Sequence, residues 1–465
     1  MTTMIGEIVE HPQYGRGKVA ASYRNGTEWL VRFDSGLRFR RPRREFVGEQ
    51  EISLAPVAPL PVPDVEPMPL EQFESRQVLE ALRVGVAPAQ HIQELTIGLE
   101  AERASVVEGL TLTHAEGGAV RAIIGEYGFG KTHLVELTAH EALERNFLVA
   151  AASLDLGELP AHRAFAIYGS LMRSLRYPDG DERGLEPLIA RAIDTPRWRE
   201  QLWHATSMAN DPLDVGLYAI SNTSSSRQRK AWQQWLMGGR RVRLMNKAAP
   251  RGVRFPSIYR VGHNARQIAY LLSGVSVLAR LAGYSGLAVL IDEAESYSLL
   301  RPYQRPRADQ VFSAIIYAAL RDRQSRITPD MLPQHRWRDY PPAYDEHQSL
   351  FFLFTVTRSD NRLPLGDWLD GQQILDLESN HSAQEIGQFM QQVMVYHSQA
   401  YGYQPGERQR QVRRAAAEHL ALGMRHGRLS IRGVVRLVVE LFDLLYLYPD
   451  YPVAALLDEL RQQLR

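Results

Sequence analysis

The segment GEYGFGKTH, residues 125–133, constrains the fold of this 465-residue chain more than any other stretch. Its spacing is G-x-x-x-x-G-K-T, and the glycines stand directly before a lysine and a hydroxyl residue. The apolar run AVRAII precedes it and indicates a buried strand, while HLVELTAHEALERN follows with the apolar spacing of a helix. Strand, glycine loop and helix in this order are typical of a P-loop, whose backbone N–H groups surround phosphate oxygens. The sequence therefore predicts an α/β domain built on a parallel sheet.

The residues of this loop have separate predicted roles. We expect Lys131 to reach the β and γ phosphates of a nucleotide and the Thr132 hydroxyl to ligate Mg²⁺. The predicted ligands are ATP and Mg²⁺; adenine is favoured because TRSD, at 357–360, lacks the lysine of a guanine-reading NKxD motif. The predicted nucleotide-binding residues are Gly125, Glu126, Tyr127, Gly128, Phe129, Gly130, Lys131, Thr132 and His133.

A second acidic element is needed beside such a loop, and GLAVLIDEAES, residues 286–296, supplies it. Its continuous apolar run is typical of a parallel strand buried on both faces, and ligands bind where such strands end. We expect Asp292 to hold the Mg²⁺ shell and Glu293 to polarise the attacking water. The alternative for this element is a strand that ends in a solvated acidic turn.

A third apolar strand, SLFFLFTVTRSDN, covers residues 349–361 and ends in polar residues that could touch the γ-phosphate. The order of P-loop, acidic strand and polar-tipped strand resembles an AAA+ ATPase core. In that resemblance Thr357 is the sensor 1 residue.

The chain divides into four predicted parts. Residues 1–50 alternate short β-rich runs with turn signals and predict a small barrel of about five strands; residues 51–72 form a proline-rich linker. The P-loop core covers residues 73–382 with an insertion at about 178–265, and a helical lid domain follows at 383–465. There is no cysteine, no apolar N-terminal segment and no long apolar run, so we expect a cytoplasmic protein without a membrane span.

Five segments together resemble the ATP-binding protein family of BREX and related bacterial antiphage defence systems: SRQVLEALRVGVAP, TIGLEAERASV, GEYGFGKTHL, GYSGLAVLIDEAES and LSIRGVVRLVVELFDLL. The resemblance covers most of residues 75–445 except the insertion. It implies an AAA+-like ATPase that works beside helicases, nucleases or methyltransferases, as a homo- or hetero-oligomer. Arg432 lies where such ATPases place a sensor 2 arginine, although a solvated helix-start residue explains it equally well. Four arginines compete for the arginine-finger role, and none can be chosen: Arg321, Arg323, Arg336 and Arg338.

The N-terminal segments VEHPQYGRGKV and VRFDSGLR resemble the Tudor/SH3-like barrel of UvrD-type helicases and CarD-type transcription factors. That resemblance implies contact with nucleic acid or RNA polymerase. A basic edge beside Phe39 and Phe46 could bind DNA or be a solvated rim; its arginines are Arg38, Arg40, Arg41, Arg43 and Arg44. A second basic–aromatic cluster is equally ambiguous and comprises Arg227, Arg229, Lys230, Trp232, Trp235, Arg240, Arg241 and Arg243.

The function that these patterns favour is ATP hydrolysis in antiphage defence, on or beside DNA. Two other classes stay open. One is a nucleotide switch of the STAND type, which binds ATP with little turnover. The other is a DNA-binding scaffold whose nucleotide site is structural.

Overall fold

The computed structural model describes residues 5–48, 68–206, 208, 211–239, 245, 265–321, 325–333, 340–346, 349–359, 363–378 and 381–464. The chain separates into two compact units, Met1–Met68 and Pro69–Arg465. Most of the predicted proline-rich linker lies outside the described residues, as do Arg240, Arg241 and Arg243 of the second basic cluster and the arginine-finger candidates Arg323, Arg336 and Arg338.

The first unit is a five-stranded antiparallel sheet with strand order β4-β3-β2-β1-β5. Alternate side chains of its strands point to one face and form a small core that contains Trp29, Phe33 and Phe46. Phe46 of the predicted basic edge is therefore a core residue. The strands are β1 (Ile8–His11), β2 (Gly15–Tyr23), β3 (Glu28–Phe33), β4 (Arg38–Pro42) and β5 (Val47–Gly48).

The second unit is built on a seven-stranded sheet with order β12-β6-β11-β10-β7-β8-β9. The five strands from β12 to β7 are parallel, and β8 and β9 extend the sheet antiparallel at the β7 edge. This confirms the predicted fold class, a parallel-sheet α/β core after a small all-β fold. The strands are β6 (Gly118–Gly125), β7 (Phe147–Ser153), β8 (Arg176–Tyr177), β9 (Gly180–Arg183), β10 (Gly286–Asp292), β11 (Leu350–Thr357) and β12 (Ile374–Asp376).

The two central strands β10 and β11 are buried along their whole length, which explains their unbroken apolar sequences. Helices cover both faces of the sheet, and the apolar residues between helices and sheet form two clusters. The helices of this region are α1 (Leu70–Arg83), α2 (Glu100–Glu116), α3 (Lys131–Glu144), α4 (Ala164–Ser174), α5 (Leu185–Asp194), α6 (Trp198–Ala205), α7 (Pro212–Ser221), α8 (Ser226–Leu236), α9 (Ala265–Leu281), α10 (Arg305–Leu320) and α11 (Leu365–Trp368).

The described part of the predicted insertion, at 178–265, is mainly helical and contributes to the core of the sheet domain. Trp232 and Trp235 of α8 are fully buried there, with their rings edge to face at 5.3 Å. The interpretation of these two tryptophans as part of a phosphate-binding surface is therefore wrong. They occupy positions i and i+3, which place both on the apolar face of an amphipathic helix.

The C-terminal region forms a separate apolar core, and α1 belongs to it although α1 precedes the sheet in sequence. The Arg83 guanidinium of α1 donates to Asp443 Oδ1 at 2.8 Å, and buried His397 donates from Nε2 to the same oxygen at 3.1 Å. The first residues of α1, from Leu70, fall within the segment predicted as linker. The helices that follow the sheet are α12 (Ala383–Tyr401), α13 (Glu407–Arg425), α14 (Ile431–Leu447) and α15 (Val453–Gln463). Across the described ranges, every helix is too short or too polar to cross a membrane.

Candidate nucleotide-binding site

The loop between β6 and α3 depends on two glycines with left-handed backbones. Gly128 has φ 84° and Gly130 has φ 91°, a region that residues with a side chain rarely adopt. At Gly128 a side chain would also meet Ser430, whose Cβ lies 3.0 Å from the position of an added Cβ. The loop can therefore keep this curvature, with Gly130 directly before the N-terminus of α3, only with glycine at these positions.

Lys131 is buried, and its ammonium lies inside the curve of the loop. Its Nζ donates to the carbonyl oxygens of Gly125 at 3.1 Å and Glu126 at 3.2 Å. The neighbouring loop residues differ in exposure: Phe129 packs against the sheet core, and Tyr127 is 79% exposed. The loop thus offers a cation and the positive end of a helix at one point, which is a suitable place for a phosphate group.

Thr132 and His133 lie in the first turn of α3 and differ in their surroundings. Thr132 is exposed, and its hydroxyl has no hydrogen bond to a described residue. Thr96 donates its hydroxyl hydrogen to the Ile92 carbonyl at 2.6 Å, so its oxygen accepts from His133 Nε2, 2.8 Å away. Burial lowers the pKa of His133 to about 4, and the imidazole is therefore neutral near pH 7. His133 fixes the segment around Thr96 against the P-loop helix.

The acidic pair ends β10, two strands away from the P-loop strand. Asp292 is buried, and its Oδ1 accepts the Thr355 hydroxyl and, at 3.0 Å, the Glu293 backbone N–H. The same N–H lies 3.1 Å from Thr355 Oγ1. Glu293 has φ 56°, a strained conformation for a residue with a side chain, and its carboxylate is exposed. Such strain is frequent at functional sites, and here it turns Glu293 away from the sheet.

Two hydroxyl groups that sequence reasoning missed hold this pair. Ser153, at the end of β7, donates to Glu293 Oε2 at 3.1 Å, and Thr355 of β11 binds Asp292. Ser153 is the last residue of β7 and Thr355 lies two residues before the end of β11, and these two strands flank β10 in the sheet. A polar residue at a strand end was the available signal, but only the strand order shows which ends are adjacent.

Thr357, the predicted sensor 1 residue, lies two residues beyond Thr355 on β11. It is buried and in register with Gly125 of β6, and it is not among the described residues that line the cavity. The next residues are engaged elsewhere: Arg358 pairs with Asp376, and the Ser359 hydroxyl donates to Glu126 Oε2 at 3.0 Å. Thr355 of the same strand contacts both members of the acidic pair.

Arg432 lies at the mouth of the site, in the first turn of α14. Its Nη1 is 3.5 Å from the Tyr127 hydroxyl, and its side chain packs against Gly85. The lid domain thus reaches the P-loop at this arginine. Of the arginine-finger candidates, the described one, Arg321, donates Nη1 to the Asp345 carbonyl at 2.9 Å and so is held within its own chain.

These elements enclose a cavity of about 370 Å³, within the size range of small-molecule sites. One half is polar and contains the P-loop, Asp292, Glu293 and Arg432. The other half has apolar walls that sequence reasoning did not identify; they come from the segment after α1 and from α14, namely Val86, Ala87, Ile92, Leu95, Ile97, Leu99, Ile431 and Val435. A ligand with one phosphorylated end and one flat apolar end matches this division.

The oxygen groups at the polar end of the cavity have the chemistry that Mg²⁺ requires. Thr132 offers a hydroxyl without a partner among the described residues, and Asp292 offers a carboxylate, both lining the same cavity. The described residues contain no cluster of three or more acidic or histidine side chains for a metal. Hard oxygen groups in small number suit Mg²⁺, which keeps several waters and shares phosphate oxygens. The residues present are therefore compatible with Mg²⁺.

Residues 70–210 match the family described as BREX system ATP-binding protein BrxC/D. The matched range includes α1, the P-loop and β7, and it confirms the family resemblance found in the sequence. No curated protein matches the chain. Among solved structures, the Walker-type ATPase paby2304 of Pyrococcus abyssi is similar at 11% identity and a TM-score of 0.33, over 79% of this chain and 73% of that one.

Proposed function

We propose, on the premise that this chain is a relative of the BREX ATP-binding proteins, that it hydrolyses ATP in a bacterial antiphage defence system. One observation carries the proposal: the P-loop and the acidic pair, which are far apart in sequence, line one cavity. A structural phosphate site would need the loop alone. The exposed carboxylate of Glu293 beside it adds the base that hydrolysis requires.

In this proposal each residue has a distinct role. The P-loop amides and Lys131 bind the β and γ phosphates, and Thr132 and Asp292 hold Mg²⁺, which when bound neutralises phosphate charge. Glu293 accepts a proton from the attacking water while the water oxygen forms a bond to the γ-phosphorus. The bond from that phosphorus to the bridging oxygen then breaks and releases ADP.

Thr355 keeps Asp292 fixed during this step, and the apolar half of the cavity receives the base. Arg432 leaves the Tyr127 hydroxyl and turns to the phosphates as the lid closes. Thr357 remains the predicted sensor residue, in register with Gly125 of the P-loop. Following the AAA+ resemblance, we infer an oligomer in which a neighbouring subunit or a partner protein adds an arginine finger to the site.

The partners in this proposal are the helicase, nuclease or methyltransferase of a defence system, with DNA as the common substrate. The first unit is an additional contact for DNA or RNA polymerase. Three of the five arginines of its basic edge lie over aromatic rings: Arg40 over Tyr23, Arg41 over Tyr14 and Arg43 over Trp29. Arg38 and Arg44 are exposed on the same edge and are the groups that could meet phosphates.

Steady-state ATP hydrolysis tests the chemistry. Lys131→Ala should lose nucleotide binding, whereas Glu293→Gln should bind ATP but turn over at least about 100-fold more slowly, because an amide cannot accept the proton. Glu158→Gln is the matched control, since it removes an equal charge from an exposed loop nearby and should hydrolyse ATP like the unchanged protein. Equal rates for Glu293→Gln and Glu158→Gln would refute the assignment of Glu293.

A nucleotide switch with little turnover is the second candidate. The hydrogen bond from Ser153 to Glu293 favours it, because this bond holds the carboxylate against β7. A switch would change its assembly when ATP binds even with Glu293→Gln. Sedimentation with and without ATP distinguishes the two functions.

A further inference from the structure

Two loops extend from the sheet beside the acidic pair and contact each other. One joins β7 to α4 and covers residues 154–163; the other joins β10 to α10 and begins at Glu293. The Leu154 N–H donates to the Asp292 carbonyl at 3.0 Å, and Gln304 Nε2 donates to His162 Nε2 at 3.2 Å. The loops therefore form one surface whose base is the candidate catalytic end of the sheet.

The end of the first loop, most of the second loop and the first turn of α10 are rich in arginine. Segments 159–163 and 296–308 together contain four arginines, one histidine and no carboxylate. Arg305 donates to the carbonyls of Leu300 and Ser298. The guanidinium groups of Arg163, Arg301 and Arg307 have no ion pair or hydrogen bond with any described residue, and all three are exposed. We call these three residues the arginine surface.

The neighbouring acidic groups form no ion pair with these arginines within the described part of the chain. Asp155 accepts backbone N–H groups of its own loop, and Asp309 interacts with Tyr297. Burial lowers the pKa of His162, and the nearby charges of Arg163 and Arg307 add to this effect. Exposed guanidinium groups without a partner among the described residues favour a polyanionic partner.

Between the arginines the loop exposes a ring. Tyr303 is 64% exposed and Leu299 67% exposed, although the surrounding loop is well packed through Tyr297 and Leu300. An exposed aromatic ring beside unpaired arginines is the combination that binds single strands, because bases stack on the ring while phosphates meet the cations.

We propose that the arginine surface and Tyr303 bind single-stranded nucleic acid next to the nucleotide site. This inference rests on the proposed function, because it places the polymer where it can influence hydrolysis. The Leu154–Asp292 and Ser153–Glu293 bonds lie at the base of the same loops. A bound nucleic-acid strand that moves the β7–α4 loop changes the hydrogen bond from Ser153 to Glu293. Nucleic-acid binding is thereby coupled to ATP turnover.

The test compares two triple variants of the full chain by fluorescence anisotropy with labelled oligo-dT. One variant carries Arg163→Gln, Arg301→Gln and Arg307→Gln. The matched control carries Arg183→Gln, Arg414→Gln and Arg425→Gln, which removes the same charge from exposed arginines elsewhere. Only the first should weaken binding, and it should reduce the slope of log affinity against log salt by about 0.7 per lost contact, or about 2 in all.

Tyr303 provides a second, uncharged measurement. Tyr303→Ala should weaken oligo-dT binding at least about fivefold without changing the salt slope, whereas Tyr303→Phe retains the ring and should bind normally. Thermal melting of each variant shows that it is folded.

Three outcomes overturn the proposal. The unchanged protein does not bind oligo-dT, or the two triple variants bind oligo-dT equally well. In the third outcome, the arginine-surface variant still binds oligo-dT but no longer self-associates in sedimentation. The last result would make this surface a contact between protein subunits. ATP hydrolysis by the unchanged protein, with and without oligo-dT, is measured in parallel. Absence of hydrolysis even with oligo-dT present would refute the proposed function. Hydrolysis together with equal oligo-dT binding by the two triple variants refutes only this surface.

Discussion

Thr355→Val tests whether β11 fixes the acidic pair through this residue. Valine has nearly the same shape as threonine, so the strand packing is kept while the hydroxyl is lost. The substitution removes the hydrogen bond to Asp292 Oδ1 and one of the two acceptors of the Glu293 N–H. Because Asp292 is buried, water does not readily replace the lost donor.

The expected size of the effect follows from the kind of bond. A hydrogen bond to a charged group contributes about 1.5–3 kcal/mol. If this energy positions the pair for hydrolysis, its loss slows kcat about 10- to 150-fold. The P-loop and the apolar half of the cavity are unchanged, so KM for ATP should change little. Most of the loss should therefore appear in kcat.

The assay is steady-state ATP hydrolysis over a range of ATP and of Mg²⁺ concentrations, with melting temperature as a measure of folding. Thr355→Ser retains the hydroxyl and should recover most of kcat, which a purely packing role would not predict. Thr357→Val, on the same strand, measures the role of the predicted sensor residue and should reduce kcat less than Thr355→Val. A Thr355→Val protein that is folded and has normal kcat would refute the reasoning.

Three further predictions concern neighbouring contacts. Ser153→Ala releases Glu293 from β7 and should raise ATP turnover without partners; a lower rate in the same hydrolysis assay would contradict this. Burial lowers the pKa of His133 to about 4. Between about pH 6.5 and 4 the unfolded chain therefore binds a proton at this residue that the folded chain does not bind. The free energy of unfolding decreases as the pH falls through that window. His133→Gln should reduce this acid sensitivity in thermal melts, and an identical pH dependence would contradict the assignment. Burial opposes ionisation of Asp443, but hydrogen bonds from His397 and Arg83 outweigh burial and lower the pKa of this carboxyl. The stabilisation by Asp443 is therefore present above the ordinary carboxyl pKa. It is lost as the pH falls through the lowered pKa. Asp443→Asn should therefore destabilise the protein near pH 7 in urea unfolding, with a difference that narrows in acid.

The sequence was sufficient where a function depends on neighbouring residues in the chain. The P-loop is such a case, because Gly128 and Gly130 must adopt left-handed backbones that only glycine tolerates easily, and the lysine and hydroxyl follow directly. The buried strand before Asp292 could also be predicted, since a strand covered on both faces is apolar throughout. These local patterns indicated the fold class and the family resemblance.

The sequence was ambiguous where only one face of an element decides its role. Trp232 and Trp235 stand among basic residues and look like a nucleic-acid surface, but α8 turns both into the core and leaves Arg227 and Lys230 outside. A helical-wheel plot of α8 could have separated its apolar face from its basic face. The composition of the segment does not distinguish the two faces.

Only the tertiary structure decided which distant residues meet. It places β11 between β6 and β10, and so brings Thr355 into contact with Asp292. It also packs α1 with the lid helices through Arg83 and Asp443, although the sheet domain separates them in sequence. Strand order and helix docking follow from the total apolar surface that the folded chain buries, a sum over many distant contacts that no short segment of sequence contains.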